Sequence, residues 1–253
     1  MLYLIGLGIY DERDITLRAL EVLRDVESVY AEFYTSASNV NLKNLEELVG
    51  KKIHVLSRCD LEEHPEGNVL KDSSKKETAL LTPGDPMVAT THVDIILRAR
   101  KLGIKTRVIH GSSIYSAVAE TGLQIYKFGR TTSIPFPEKS YYPTSPYDVL
   151  RENLKTGLHT LFLLDIKPEE SRFMSVNDAI RILLRIEEKK KEGIFTEETR
   201  CLSAARLGGN SIIRYGRVRD LMDYDFGRPP HVLIVPGKLH FMEEEMLKTF
   251  AHS

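Results

Sequence analysis

The sequence predicts an α/β protein in two parts, the first built around a mostly parallel sheet. Three observations carry that prediction. Short apolar runs alternate with amphipathic helical patterns through the first 110 residues. Several of these runs end in glycine or proline turns just ahead of a helix. After His110 the texture shifts to small-residue, proline-marked and strand-rich segments, so the junction is placed near Gly111, between residues 1–110 and 111–253.

In order, "LYLIGLG" reads as a strand ending in glycines, and Asp14 and Thr16 precede a helix with Leu17, Leu20 and Leu23 on one face. "SVYAEFY" is β-branched and aromatic, hence a strand ending near Glu32. "NLKNLEELVG" is a short helix closed by Gly50, and "KKIHVLS" and "ETALLT" are strands. After the turn "TPGDP", the spacing predicts a helix from about Thr91 to Leu102, with Thr91 and Asp94 at capping-box distance. "IKTRVIH" closes this series. Further on, "FGRTTSIPF" is a strand entering a proline loop. "PTSPYDVLRENLKTG" is a helix with Ser145 as N-cap and Pro146 in its first turn. "LHTLFLLDI" is a nearly continuous apolar strand, Val176 to Glu192 a long amphipathic helix, and "ETRCLSAARLG" and "PPHVLIVP" are strands.

The chain of 253 residues is long enough for one large or two smaller cores. Its formal net charge of −1 gives no indication of a broad nucleic-acid or anionic-membrane surface and leaves room for a local basic patch. Cys59 and Cys201 match no metal or redox spacing and suit a reducing, cytoplasmic compartment. No apolar run approaches a membrane span.

Several motifs are incomplete. "GLGIYD" resembles a dinucleotide-binding turn, but Asp11 replaces the third glycine, and a carboxylate facing a pyrophosphate is electrostatically wrong. "DFG" at Asp225–Gly227 lacks every other kinase signature. No H-E-x-x-H pair and no G-x-S-x-G elbow are present, and "HFMEEEM" reads as a helix rather than a metal site.

"LLTPGDPMVATTH" is the informative stretch. Pro83 and Pro86 narrow the backbone and Gly84 permits a positive φ, so Asp85 is held at the carboxyl end of a strand, where ligands of open α/β sheets gather. A fixed carboxylate suits a ligand with positive charge or hydroxyl donors. An aspartate that only satisfies turn amides is the plain alternative. "VIHGSSIYSAV" repeats the strand-loop-helix design, with Gly111, Ser112 and Ser113 just past a strand.

Together "YLIGLGIYDERDIT", "YAEFYTS", "LLTPGDPMVATTH", "IHGSSIYSA", "YKFGRT", "PTSPYDV", "GLHTLFLLDI" and "DFGRPPHVLIVPGKLHFMEEE" resemble the diphthine synthase family, archaeal type. That family lies within the tetrapyrrole methylase-like class of S-adenosylmethionine-dependent methyltransferases. The resemblance implies two α/β domains, the second with a mixed sheet, and a cofactor cleft between them. It implies cofactor contacts at Ile9, Asp85, Val88, Ser113, Ile114, Leu164, Leu207 and His231, several of them through backbone. It also implies a homodimer, trimethylation of a modified histidine on translation elongation factor 2, and no metal. No catalytic residue is named by it; His110, His231 or water are the candidates for a proton acceptor. S-adenosylmethionine carries an ammonium, a sulfonium and ribose hydroxyls but no phosphate, so an acidic corner with glycine backbone suits it. A same-class methyltransferase acting on a tetrapyrrole, a non-catalytic sensor of S-adenosylmethionine and a dinucleotide oxidoreductase stay open at this stage.

Overall fold

Leu2–Gly6 forms β1 in the computed structural model, which describes residues 1–138 and 142–251, and all five of its residues are buried. A strand covered on both faces needs a continuous apolar run rather than alternation, which "LYLIG" supplies. The chain then passes through α1 (Leu17–Asp25), β2 (Ser28–Ala31), α2 (Leu42–Val49), β3 (Ile53–Val55), α3 (Val69–Ser73), β4 (Thr78–Thr82), α4 (Val93–Lys101), β5 (Thr106–Ile109) and α5 (Ile114–Ala117). All strands of this sheet are parallel, in the order β3-β2-β4-β1-β5. Its two faces bury different residues. Tyr3, Ile5, Ala79 and Leu81 pack with Leu23 and Leu45, while Leu2, Leu4 and Leu80 pack with Leu70, Ile95 and Ile96.

The order has a functional consequence. The crossover from β1 to β2 passes β4, whereas that from β4 to β5 passes β1. Adjacent strands whose connections leave in opposite directions open a crevice at their carboxyl ends. The loops after β1 and β4 therefore sit at a topological switch point.

The chain divides into two units, Met1–Ala117 and Val118–Ser253, and the Gly111–Ser113 loop clusters with the first. The second unit contains β6 (Thr132–Ile134), α6 (Ser145–Lys155), β7 (Thr160–Leu164), β8 (Ile166–Lys167), β9 (Arg172–Phe173), α7 (Val176–Lys190), β10 (Arg200–Ala205), β11 (Ile212–Arg217), α8 (Val218–Leu221), β12 (His231–Val235) and α9 (Phe241–Thr249). Its main sheet runs β11-β10-β12-β7-β6 and is mixed, antiparallel except for the parallel β6–β7 pair. α7 begins with a capping box between Ser175 and Asp178 and buries Ile180, Leu183 and Ile186. It ends because Glu187 turns back to accept the amides of Gly193, Ile194 and Phe195.

Two expected caps do not form. Thr91 gives its hydroxyl to Glu62 at 3.3 Å and Asp94 takes Arg98 Nε at 2.7 Å, so α4 starts two residues later than expected, without a capping box. At α6 the N-cap is Thr144 rather than Ser145, and Asp148 is drawn to Lys190 and Arg151. In both cases a long cationic partner takes the carboxylate from the local turn. "DFG" is structural: Asp225 caps the Gly227 amide at 2.7 Å and Phe226 lies in the core.

Candidate functional site

Three backbone loops cross at the carboxyl edge of the first sheet. Gly8 and Gly84 exchange amide-carbonyl bonds at 3.2 and 2.7 Å, and Leu7 N donates to Thr82 O at 2.8 Å. A Cβ on Gly6 would lie 2.4 Å from Gly84 O and 2.7 Å from Gly111 N, and one on Gly111 would lie 2.7 Å from Gly84 O. The crossing therefore tolerates no side chain at Gly6 or Gly111.

Asp85 sits on this crossing and is 6% exposed. Its carboxylate accepts from Met87 N at 2.9 Å, Gly111 N at 3.3 Å and His110 Nδ1 at 2.8 Å, tying the β4 loop to the β5 loop. The turn-amide reading is thus part of the truth. A carboxylate offers about four lone-pair directions, so acceptor capacity and a negative charge are left over. Val88 donates its amide to Asp85 O at 3.2 Å and is half-buried. Ser113 is buried, with its amide on Ser116 Oγ at 3.1 Å, and the half-buried Ile114 opens α5.

Ile9 is half-buried on the β1 loop. Its amide and that of Tyr10 both donate to Asp14 Oδ2, at 3.1 and 2.7 Å. Asp14 thus fills the amide nest that a pyrophosphate would need, while Asp11 pairs with Arg13. The loop is closed to phosphate from within.

Beneath the β4 loop lies a pair that the sequence patterns did not single out. Glu32 directly follows β2 and is fully buried; its carboxylate accepts from Tyr34 N, Thr35 N and Thr35 Oγ1 at 3.0, 3.1 and 2.6 Å. Burial pushes it up to about 7 against those hydrogen bonds. His92 Nε2 lies 3.7 Å from Glu32 Oε1, and burial pulls the imidazole down to about 4, opposed by the Pro86 carbonyl.

In the second unit, Leu164, Leu207 and His231 share one sheet edge. Leu164 ends β7, His231 starts β12 opposite Ala205, and Leu207 follows just beyond β10. Arg206, at φ 53°, holds that turn with Nη1 on the carbonyls of Phe226 and Arg228. The His231 ring accepts from Val176 N at 3.4 Å and donates Nε2–H to Arg228 O at 3.1 Å. Both ring nitrogens are occupied, and burial holds the imidazole below its ordinary range. His231 is therefore poorly placed to take a proton.

The two architectures, a parallel sheet with an acidic switch-point corner in the first unit and a mixed sheet in the second, are matched by known proteins. Residues 1–210 match the family model of Tetrapyrrole (Corrin/Porphyrin) Methylases, which makes the class a methyltransferase. The chain is 52% identical to a diphthine synthase of Methanocaldococcus jannaschii, over 98% of each chain. It is 52% identical to one from Methanococcus maripaludis, again over 98% of each. A solved structure from Entamoeba histolytica superimposes with a TM-score of 0.90 at 38% identity, covering 100% of this chain and 99% of that one. A solved diphthine synthase gives 0.89 at 37%, covering 99% and 95%. The chain belongs to the diphthine synthase family of methyltransferases.

Proposed function

We propose that this chain transfers methyl groups from S-adenosylmethionine to the amino group of the aminocarboxypropyl-modified histidine of translation elongation factor 2, giving trimethylated diphthine. Full-length similarity to diphthine synthases carries the reading. The site chemistry supports it: an acidic corner, a backbone crossing open to close approach, and a β1 loop whose amides are already filled by Asp14 fit a cationic, phosphate-free donor.

When bound, S-adenosylmethionine supplies a methyl group already activated on a sulfonium. Asp85 would hold its positive charge, and the half-buried Ile9 and Val88 would help exclude water. Leu164, Leu207 and His231 are assigned to the same cofactor through their backbone and apolar surface. The acceptor nitrogen must be neutral for the first two transfers, so a proton leaves it each time. His110, 72% exposed and oriented by Asp85, is better placed than His231 to accept that proton. The assembly we infer is a cytoplasmic homodimer. Among the described residues no helix is long and apolar enough to cross a membrane, and Tyr126, Phe241 and Met242 give the second unit exposed apolar surface.

Mass spectrometry of elongation factor 2 carrying the unmethylated precursor, after incubation with this protein and S-adenosylmethionine, tests the reading. A mass gain of three methyl groups is expected. No gain there, with methylation of a precorrin-type tetrapyrrole, would move the activity to the other branch of the class. A second expectation concerns the donor. Asp85→Ala should weaken S-adenosylmethionine binding about ten-fold or more, and Asp85→Asn should recover only the part owed to the turn, as titration calorimetry will read. Unchanged affinity in a folded Asp85→Ala protein would remove Asp85 from the site.

A further inference from the structure

The loop from Thr82 to His92 has to be held. Ala89 adopts φ 54°, a left-handed conformation unfavourable for an L-residue, which only surrounding contacts can sustain. Its outer side is exposed at Met87. Its inner side rests on buried polar groups that the chemistry described above does not use.

Those groups are unusual in being unfinished. His92 Nε2, Tyr34 Oη and Thr82 Oγ1 are all buried with no hydrogen-bond partner. Each such atom has lost its hydration without a replacement bond and calls for an explanation. For His92 one is at hand, because Glu32 Oε1 lies 3.7 Å from Nε2, a gap that a slight contraction would close to an N–H···O or O–H···N bond. The ring's other nitrogen lies 2.7 Å from Thr90 Oγ1, which also accepts the His92 amide at 3.2 Å. A chain thus runs from β2 through Glu32 and His92 to Thr90 and, by the Pro86 carbonyl, to the residue next to Asp85.

We propose that Glu32 and His92 are positioning residues for the methyl-donor site: they share one proton between Oε1 and Nε2 and so fix the loop that carries Asp85 and Val88. This inference rests on the donor-site reading given above. Two proton arrangements serve it. With the carboxyl protonated, Glu32 donates to bare Nε2 and Nδ1–H donates to Thr90. With the carboxyl ionised, Nε2–H donates to Glu32 and the Thr90 hydroxyl donates to Nδ1. Passing from one to the other releases one proton to solvent and reverses the hydrogen bond inside the loop, which couples the charge beneath to the loop above.

Among the described residues, three other charged or titratable groups act on the pair and its neighbours. Arg58 lies over the Tyr34 ring at 5.2 Å and attracts the Glu32 carboxylate, and Glu62 holds Thr91. Burial keeps Tyr34 protonated.

The test is donor binding by calorimetry together with kcat and the donor KM, from pH 5.5 to 8.5, for wild type, Glu32→Gln, His92→Phe and His92→Asn. His92→Phe fills the space without a nitrogen and should raise the donor Kd and KM about five-fold or more while kcat stays within about two-fold. His92→Asn, whose amide can bond Thr90 again, should recover part of that loss. Glu32→Gln mimics the protonated pair, so it should bind like wild type at low pH but lose the wild-type inflection near 7. Superimposable pH profiles for wild type and Glu32→Gln, or an unchanged KM in His92→Phe, overturn the proposal. Wild type that binds no S-adenosylmethionine overturns the donor-site reading, and this inference with it.

Discussion

Glu243→Ala is expected to destabilise the second unit by about 3–5 kcal/mol, the cost of removing one partner from a buried charged network. Glu243 lies in the first turn of α9 and is fully buried. Its carboxylate accepts from Lys127 Nζ, from Gln124 N and His240 N at 2.9 and 2.7 Å, and faces His159 Nε2 at 3.0 Å. His159 in turn accepts from Gly237 N at 2.9 Å, so one carboxylate ties α9 to the start of β7 and to the loop after β12. Burial alone would push Glu243 up, but Lys127, the two amides and His159 outweigh it and bring it down to about 2. A folded-state value below the ordinary 4.5 gives a stabilisation present above that pH and lost as pH falls through about 2. Amide exchange of Phe241–Thr249 at neutral pH reads the loss directly. Glu243→Gln, which keeps the size and an acceptor, should cost less. A loss below about 1 kcal/mol in Glu243→Ala would show that the ion pair and the amides contribute far less than their burial implies.

That network marks where local sequence reasoning stops. Most of the longer strands, α1, α2 and α7 were legible because apolar spacing and caps are local: Thr16, Asn41, Gly50 and Ser175 act within four residues of themselves. The acidic corner was legible for a similar reason, since prolines, glycine and aspartate share one turn. Its long-range partners were not, because the bond from Gly111 N to Asp85 spans 26 residues, just as in the α9 network that from Gln124 N to Glu243 spans 119. Such partners leave no periodic signal. His92 stood in plain view inside "TPGDPMVATTH", yet only the fold sets it against Glu32. Two misses had readable signals. In "SIIRYGR" the buried Ile213 and Tyr215 flank Arg214, an alternation that marks β11. "CDLEEHPEG" forms one π-helical turn and one 3₁₀ turn, short forms that Pro65 and Gly67 break before any helical period can build.

Gly6→Ala should lower kcat/KM for methyl transfer about 100-fold while leaving the protein folded, because a misplacement of about 1 Å at a site can cost that much. A single methyl at this position meets only backbone, Gly84 O at 2.4 Å and Gly111 N at 2.7 Å, and neither can rotate out of the way. The loops must part, and the loop after β4 carries Asp85 with it. The same parting stretches the bond from Gly111 N to Asp85, already 3.3 Å, so the corner loses its shape as well as its place. Overpacking of this kind costs about 1–3 kcal/mol of stability, which a protein of this size withstands. Gly50→Ala is the control. It sits at φ 75° with open space around the added methyl, so it carries a comparable backbone cost at the end of α2 with no displacement of the crossing. Equal activity losses in the two variants would reduce the effect to general destabilisation. A large loss in Gly6→Ala alone, with similar melting temperatures, would locate it at the crossing of the three loops.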